Sequence, residues 1–553
     1  MSTRRSSRPL AALSAAALTA PLAMAATPAS ADETSAAEPG DLTVVFAESA
    51  RWNTGYSGQV TVTNTSDVPV TDWTIRFDLP DGSSVHEMWN ADLAESDGGY
   101  TVTPPRWGAT IPAGGSYGFG FNGLHEDGAT APVLCLVNGV PCDGDTGPDH
   151  DRLSVAYLPQ WSAEDHGYRV RDLVTSGTAA RLTHINYAFG NIDADGECLM
   201  TDEEGLGEAR ADYGTPTSAE NSVDGAADDP GQDLRGNFEQ LRKLKEMYPD
   251  LKVNISLGGW TWSEHFSDAA LTPESRQRMV SSCIDLYLRG DLPVIDGAGG
   301  EGSAYGIFDG IDLDWEWPGS AGHEHNTVRP EDRENFTALV QEFRTQLDAL
   351  EADTDREYEL TAFLPAGTWR IDLGYELDEL MTDFDFVTLQ GYDYHGTWES
   401  TTNHQSNLVG DPADGGPVIS TRDTVQAYVD RGVDPADIVL GVPFYGQGWT
   451  GVDPGPNGDG LFQNATGPAR GDARWSALKE LEGFDLYRND DLGTAWLYDG
   501  NTFWTYDDET AMARKTEWAV DNGLGGVMVW SIDGDDADGS LMAAIDTALV
   551  ENR

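Results

Sequence analysis

Hydrophobic and polar residues alternate with a period of two in the part of the chain that follows residue 40. The run Gln59-Val-Thr-Val-Thr-Asn64 has this pattern, and so does Trp73-Thr-Ile-Arg-Phe77. Gly, Pro, Asn and Asp residues separate such runs, and no convincing helical period occurs before Cys142. Short alternating strands with turn residues between them predict a β-sandwich module over residues 40–142.

The pattern changes after a short acidic segment, residues 143–150, which contains Gly and Pro and predicts a linker. Over residues 151–553, apolar strands alternate with amphipathic helices. Helices are predicted over Glu331–Leu350 and Asp508–Asn522, and another begins with Thr272 as N-cap and Pro273 in its first turn. Eight strands are predicted: Leu153–Tyr157, Arg181–Ala188, Lys252–Ser256, Gly310–Asp314, Glu359–Phe363, Phe386–Leu389, Ile438–Val442 and Gly526–Trp530.

Eight strands in a repeating β/α order predict an α/β fold of the (β/α)8 TIM-barrel type. A doubly wound sheet is the alternative, but it usually has fewer strands. The interval between the seventh and eighth strands, about residues 447–506, is too long for a simple connection. We therefore expect a small inserted subdomain there.

Residues 1–31 have the pattern of a secretory signal peptide. Three arginines in the first eight residues precede an Ala/Leu-rich run, and Ala29-Ser30-Ala31 is a small-residue cleavage site. A membrane anchor is the alternative, but the apolar run is short and Pro21 interrupts it. We therefore expect a secreted, extracellular protein.

The composition is strongly acidic. The chain has 94 Asp and Glu against 33 Lys and Arg, which gives a formal net charge of −61. Such a surface repels nucleic acid and anionic lipid, so neither is an expected partner. It also fits solubility in strong salt, and a composition bias without adaptive role is the alternative. We expect a monomer.

Four cysteines are present, and export makes disulfides possible. Cys135 and Cys142 flank Asn138-Gly139, a hairpin-turn signal that could bring them together. Cys198 and Cys283 would then be the remaining pair, although the sequence leaves the connectivity open. No CxxC pair suggests zinc, and we predict neither a metal nor a cofactor.

The most informative segment for chemistry contains three carboxyl groups spaced by two: Asp312, Asp314 and Glu316. On a strand they point to one face, and the apolar residues between them point to the other. In a barrel, Glu316 would lie nearest the C-terminal mouth. Crowded carboxyls cannot all ionise, so one holds a proton near neutral pH and can serve as a general acid. A calcium loop is the alternative, but it needs Gly and polar residues between its ligands.

The Asp-x-x-Asp-x-Asp-x-Glu run from Asp309 to Glu316 resembles the signature of the family 18 glycoside hydrolases, the chitinases. Ser256-Leu-Gly-Gly-Trp260 resembles their third-strand motif, and Gln390-Gly-Tyr-Asp393 resembles their sixth-strand motif. Trp530 stands where the family has its eighth-strand tryptophan. The resemblance covers the chain from about Leu153 to the end.

The resemblance implies hydrolysis of β-1,4-N-acetylglucosamine linkages in chitin by a retaining, substrate-assisted mechanism. It implies that Glu316 is the proton donor and that the substrate's acetamido oxygen replaces an enzymic nucleophile. Asp314 would hold the acetamido N–H and share a proton with Asp312, and Tyr392 would donate to the acetamido oxygen. The substrate-binding residues that it implies are Tyr157, Ser256, Trp260, Gln390, Asp393 and Trp530.

One position departs from the family pattern. Gln447 stands where an arginine is common, so a charged fork of donors is missing there. Core packing is the alternative interpretation for Trp260, Tyr392 and Trp530 taken one by one. Together with the acidic strand they favour a sugar-binding site.

The N-terminal sandwich resembles the family 2 carbohydrate-binding modules. Trp52, Trp89 and Trp107 fall where that family carries an exposed planar strip, whereas Trp73, in an alternating strand, is expected in the core. Flat rings fit the flat face of a crystalline polysaccharide, so the expected ligands are chitin and, as a second candidate, cellulose. The first cysteine of that family, expected near Gly40, is absent.

The leading interpretation is a secreted chitinase whose module raises the local substrate concentration at an insoluble surface. An endo-β-N-acetylglucosaminidase acting on glycoprotein glycans is the first alternative, and a module for insoluble polymers disfavours it. A non-catalytic chitin-binding lectin is the second, and the presence of Glu316 disfavours it. Cellulase activity is disfavoured because cellulose has no acetamido group.

Overall fold

The computed structural model describes residues 41–551 except 97–98, 127, 129 and 417–418. The predicted signal peptide, and the position near Gly40 where the module family has its first cysteine, lie outside the described residues. In the described part of the chain, no helix is both long enough and apolar enough to cross a membrane.

Two antiparallel sheets form the N-terminal sandwich. The four-stranded sheet has the order Leu42–Trp52, Gly55–Asn64, Ser116–Leu124, Ser84–Trp89. The five-stranded sheet has the order Val140–Pro141, Leu134–Val137, Ile75–Asp78, Gly99–Thr103, Asp92–Ser96. Val70–Thr71 and Thr110–Ile111 form a short additional pair. Alternate residues of both sheets fill a core that contains the fully buried Trp73, as predicted, although the strand begins only at Ile75 and Trp73 precedes it.

Both disulfides join the cysteines in the predicted pairs. Asn138 and Gly139 both have positive φ and make the tight turn of a hairpin, and the bond between Cys135 and Cys142 closes it. The bond between Cys198 and Cys283 ties the short strand after the second barrel strand to a barrel helix.

Eight parallel strands close into a barrel, which confirms the predicted fold class. In chain order they are Leu153–Pro159, His184–Ile192, Lys252–Gly258, Gly310–Asp314, Glu359–Leu364, Phe386–Leu389, Ile438–Pro443 and Gly526–Trp530. The first strand pairs with both the second and the eighth, so the sheet is closed and the doubly wound alternative is wrong. The second strand begins at His184 rather than Arg181, because Ala179–Arg181 forms a short 3-10 turn.

The α-helices that follow the sandwich are Ser162–Asp165, Val170–Thr175, Gly236–Met247, Gly259–Trp262, Phe266–Ala269, Pro273–Cys283, Asp332–Thr354, Thr368–Gly374, Leu377–Leu380, Thr421–Val429, Trp475–Leu478 in the insertion, Glu509–Asp521 and Ser540–Glu551. Thr272 caps its helix as predicted, and Asp508 caps the helix that follows it. The helix predicted over Glu331–Leu350 runs four residues further, to Thr354.

The period of two along the barrel strands separates two apolar layers. On the fourth strand, Ile311 and Leu313 face the helices and join the large cluster between strands and helices. A second, smaller cluster lies inside the barrel and includes Val155, Ala188 and Met528. Side chains that face the barrel interior at the C-terminal ends of the strands therefore meet at one place.

Between the seventh and eighth barrel strands the chain forms a small antiparallel sheet. Its strands, in spatial order, are Gly467–Pro468, Gln447–Thr450, Thr502–Tyr506, Thr494–Tyr498 and Asp485–Asn489. It has its own apolar cluster, which includes Trp449, Trp496 and Phe503. The long interval is therefore a folded insertion, as its length predicts.

Candidate active site

A cleft of about 820 Å³ lies where the C-terminal ends of the barrel strands converge. Asp314 and Glu316 lie in it, and aromatic rings form much of its lining, among them Tyr157, Tyr392 and Trp530. A concave site of this size with few polar groups among apolar walls is typical of a small-molecule or oligosaccharide site.

Asp312 lies beneath the cleft and is fully buried on the fourth strand. Its carboxylate accepts hydrogen bonds from three hydroxyl groups at 2.7 Å each: Tyr157 and Ser256 on Oδ2, and Thr361 on Oδ1. Ser256 and Thr361 are its neighbours on the third and fifth strands. Burial raises the pKa of Asp312, and the three hydrogen bonds oppose that rise by stabilising the carboxylate.

Asp314 is the last residue of the fourth strand and its side chain faces the cleft. The residue is 3% exposed, and its Oδ1 has no hydrogen-bond partner among the described residues. Burial, followed by the negative charges of Glu316 and Asp312, holds its pKa well above the usual range. Asp314 is therefore a carboxyl that resists ionisation and keeps one buried acceptor oxygen without a partner among the described residues.

Glu316 lies two residues beyond the end of the strand. Its backbone N–H donates to Ser263 Oγ at 2.9 Å, and its carbonyl accepts from Asn326 Nδ2 at 2.7 Å. Part of its side chain lines the cleft, and protein atoms bury the rest. This burial, together with the negative charge of Asp393, raises its pKa to about 8, and Arg370 opposes the rise. Glu316 therefore holds a proton at neutral pH.

The segment after the sixth strand places a second carboxylate, that of Asp393, near Glu316. Asp393 has a positive φ of 56° and accepts a hydrogen bond of 2.9 Å from Gln447 Nε2. Tyr445 donates to the same carboxylate, and burial raises the pKa of Asp393 against these two donors. Tyr392 precedes it, is 5% exposed, and stacks on Phe363 with ring centroids 6.2 Å apart.

Two glycines allow the third strand to pass close to the fourth and turn outward. Gly258 and Gly259 both have positive φ. A Cβ at Gly258 would lie 2.5 Å from the carbonyl oxygen of Asp314, and one at Gly259 would lie 2.6 Å from the ring of Phe189. Trp260 follows them on the rim of the cleft and is 49% exposed. The glycine pair therefore places this tryptophan at the site.

The floor of the cleft is aromatic. Trp530 stacks on Phe189 at 5.6 Å and meets Tyr157 edge-on at 5.3 Å. Gln390 lines the same cleft and accepts a backbone hydrogen bond from Ala366 at 3.4 Å. Planar rings with polar groups at their edges suit the alternating apolar faces and hydroxyl edges of a pyranose.

The structure brings together most residues that the sequence predicts for the site. Those that line the cleft are Glu316, Asp314, Tyr392, Tyr157, Trp260, Gln390, Asp393 and Trp530. Asp312 and Ser256 lie beneath it and reach it only through other side chains.

Sequence reasoning missed two neighbours of the acidic groups. Thr361 binds Asp312, and its place in an alternating strand next to the fourth is the signal that could have found it. Arg370 lies over the rings of Trp317 and Trp369 at 5.4 and 4.8 Å and lines the cleft near Glu316. No motif points to Arg370, which lies in the short helix Thr368–Gly374 after the fifth strand.

In the sandwich, Trp52, Trp89 and Trp107 are 46%, 38% and 69% exposed. Trp52 and Trp89 end two strands of the four-stranded sheet. A Cβ at Gly120 would lie 2.5 Å from the ring of Trp89, so that glycine lets the indole lie flat across the sheet. Large exposed rings on a small module are the kind of feature that marks a binding surface.

Family models match most of the chain. Residues 154–535 match the model described as glycosyl hydrolases family 18, and residues 42–142 match the model described as cellulose binding domain. Chitinase C of Streptomyces lividans is 31% identical, over 90% of this chain and 91% of its own length.

Two solved structures extend the likeness to the fold. The catalytic domain of a psychrophilic chitinase B from Arthrobacter TAD20 is 43% identical and superposes with a TM-score of 0.69, covering 72% of this chain and 96% of its own. A family 18 N-acetylglucosaminidase from Paenibacillus barengoltzii is 28% identical with a TM-score of 0.57, covering 72% of this chain and 99% of its own.

Proposed function

This chain belongs to family 18 of the glycosyl hydrolases, and from that membership we propose that it is a secreted chitinase. It hydrolyses β-1,4 linkages between N-acetylglucosamine units with retention of the anomeric configuration. One observation carries the proposal: Glu316, a carboxyl with a pKa of about 8, opens on the cleft beside the buried Asp314.

Glu316 is the general acid in this proposal. Because its pKa is about 8, it carries a proton at neutral pH and can give it to the glycosidic oxygen as the bond breaks. It then has the negative charge needed to accept a proton from the water that opens the intermediate. Asp393 and Arg370 act on its pKa in opposite directions.

The nucleophile is the acetamido oxygen of the sugar itself. An intramolecular nucleophile gains a large effective concentration, so the protein needs no carboxylate at the anomeric carbon. Asp314, whose Oδ1 has no partner among the described residues, would accept the acetamido N–H and balance the positive charge of the oxazolinium ion. We propose that it shares one proton with Asp312, whose three hydroxyl donors support a negative charge there.

The remaining predicted residues hold the sugar. We propose that Tyr392 donates its hydroxyl to the acetamido oxygen and that Trp530 forms the floor of the reacting subsite. Trp260, Gln390 and Asp393 complete the binding surface, and their place in the lining of the cleft supports this. Tyr157 and Ser256 act through Asp312, to which both donate hydrogen bonds.

The sandwich is proposed as the module that holds the enzyme on insoluble polysaccharide. Its match to the cellulose binding domain model and the exposure of Trp52, Trp89 and Trp107 support this. Chitin is the proposed ligand, and cellulose is a second candidate. Attachment raises the local concentration of substrate at the surface.

We propose the following division of the chain: a signal peptide in residues 1–31, the module in 40–142, a linker in 143–150 and the catalytic domain in 151–553, with the insertion at about 447–506. Two disulfides support folding in an oxidising compartment. The proposed enzyme is a monomer that requires neither a cofactor nor a metal. It binds neither nucleic acid nor membrane.

An endo-β-N-acetylglucosaminidase on glycoprotein glycans is the competing function. The similarity to a family 18 N-acetylglucosaminidase from Paenibacillus barengoltzii shows a relative that is not named a chitinase, which is the reason to consider a second function. A module for insoluble polymers disfavours it, since soluble glycoproteins need no such attachment. A lectin without activity is disfavoured by the presence of both Glu316 and Asp314 in the cleft.

Glu316→Gln tests the proposal, because it keeps the shape of the side chain and removes the proton that is transferred. We expect kcat on chitotetraose to fall about 10³-fold while binding of the tetramer changes little. Glu324→Gln, at an exposed carboxylate in the following loop, is the matched control and should keep full activity. The wild type should release the β-anomer first, and equal hydrolysis of fully deacetylated polymer would refute the substrate-assisted mechanism.

A further inference from the structure

Part of the outer face of the five-stranded sheet of the sandwich is buried, on the strands Ile75–Asp78 and Leu134–Val137. On the strand Ile75–Asp78, Ile75 and Phe77 point into the sandwich core, so Arg76 and Asp78 lie on the opposite face. On the strand Leu134–Val137, Cys135 and Val137 pack on that core, so Leu134 and Leu136 lie on the opposite face. An isolated sandwich would expose this face to water, yet Leu134 and Leu136 are only 3% and 2% exposed.

The barrel covers that face. Leu134 and Leu136 belong to the same continuous cluster of buried apolar residues as the strands and helices of the barrel. The adjoining strand Val140–Pro141 contacts the barrel helix Gly236–Met247. Apolar residues on the outer face of a sheet are usually covered by another element of the protein. The burial of the two leucines against the barrel therefore indicates a permanent contact between sandwich and barrel.

A buried ionic contact accompanies the apolar one. Asp78 is 4% exposed and accepts a 2.8 Å hydrogen bond from Arg171, on the barrel helix Val170–Thr175. Arg76 lies 3.0 Å from the other carboxylate oxygen of Asp78. A Cβ at Gly225 of the barrel would lie 2.3 Å from Arg76 Nε, so the arginine rests directly on that backbone. A buried carboxylate between two guanidinium groups fixes orientation, because any displacement leaves a charge unpaired.

The connecting segment, residues 143–150, is also tied to the barrel. His150 is 7% exposed, and its Nε2 lies 3.6 Å from Asp546 Oδ1 on the last helix. Arg152 donates to the carbonyl oxygen of Leu524 at 2.5 Å. A connection that is short and bound at its end does not behave as a flexible tether.

We propose that the sandwich is docked on the barrel as a fixed second body, through Asp78, Leu134 and Leu136, and is not an arm that swings on a linker. The docking face belongs to the five-stranded sheet, whereas Trp52 and Trp89 end strands of the four-stranded sheet. The exposed tryptophans therefore stay free and keep one distance and orientation relative to the cleft. This last consequence rests on the proposed polysaccharide-binding function of the module, and the docking itself does not.

The test uses the full chain with the double substitution Arg171→Glu and Leu136→Ser, which opposes Asp78 with a like charge and removes the apolar contact. Calorimetry of the wild type should give one cooperative transition for sandwich and barrel, and the variant should give two. Protease cleavage within residues 143–150 should become about tenfold faster in the variant, since local opening exposes the segment. Val133→Ser, at the exposed neighbour of Leu134, and Arg514→Glu, at an exposed helix position, are the matched controls and should behave as the wild type.

Retained hydrolysis of chitotetraose and retained pelleting would show that both bodies of the variant are folded. The ratio of activity on insoluble chitin to activity on the tetramer should fall at least about twofold, because the fixed geometry is lost. Two independent transitions in the wild type, or a double variant that cleaves and melts like the controls, would overturn the docking. If the variant is undocked but keeps the wild-type ratio of activity on insoluble chitin to activity on the tetramer, only the proposed effect of docking on chitin hydrolysis is overturned. Should the variant fail to fold, X-ray scattering of the wild type decides: one conformation supports docking, and a broad ensemble overturns it.

Discussion

Gln447 donates a hydrogen bond of 2.9 Å from Nε2 to Oδ1 of Asp393. The donor is neutral, so the negative charge of Asp393 is not cancelled, and this charge raises the pKa of Glu316. The groups that face Glu316 are the acids Asp314 and Asp393 and the cation Arg370. The balance among these charges sets the pH at which the acid loses its proton.

We expect Gln447→Arg to shift the pH profile. An arginine would pair with Asp393 and lower the pKa of Glu316 from about 8, so activity would be lost at a lower pH as the solution becomes more basic. The basic limb of kcat/KM on chitotetraose should move down by about one pH unit. Gln426→Arg, at an exposed helix position, should leave the profile in place.

Glu316→Gln should make the protein more stable in base. The folded pKa of Glu316, about 8, lies above the usual pKa of a glutamate, 4.5, so the folded state loses stability as the pH rises between these values. The amide has no such penalty. We expect its Tm to exceed that of the wild type by about 2–4 °C at pH 8.5 and to match it at pH 4. Equal melting temperatures at both pH values would contradict this assignment.

Thr361→Val should impair catalysis through Asp312. Valine has nearly the same shape as threonine but removes one of the three hydroxyl groups that bind this buried carboxylate. Asp312 then favours the protonated form, and the sharing of a proton with Asp314 is disturbed. We expect kcat to fall about tenfold with little change in KM. Thr388→Val is the matched control, since Thr388 is also fully buried on a barrel strand but donates only to a backbone carbonyl.

Replacement of Trp52, Trp89 and Trp107 by alanine should abolish pelleting with insoluble chitin. The three rings are exposed, and truncation removes the flat surface that stacks on sugar rings. Hydrolysis of chitotetraose should stay at the wild-type rate, because the cleft is elsewhere. Pelleting that survives all three substitutions would show that another surface binds the polymer. Parallel assays with cellulose would establish which polymer the module prefers.

The sequence by itself determined the features that depend on local periodicity. A period of two places Asp312 and Asp314 on one face of a strand, and eight such strands with helices between them predicted the barrel. Glycine at positions 258 and 259 permits the positive φ that the structure shows there. The hairpin between Cys135 and Cys142 follows from its turn in the same way.

Only the tertiary structure decided which groups from distant segments meet. Thr361 is 49 residues from Asp312 along the chain, yet closure of the barrel places it in hydrogen-bond contact. Arg370 reaches the cleft from the short helix Thr368–Gly374, whose position no local pattern fixes. The strand that contains Leu136 would have the same alternating pattern whether its outer face contacted water or the barrel. The sequence therefore did not predict that Leu136 packs against the barrel. Periodicity specifies the direction of a side chain relative to its own backbone, whereas its partners depend on how all elements pack.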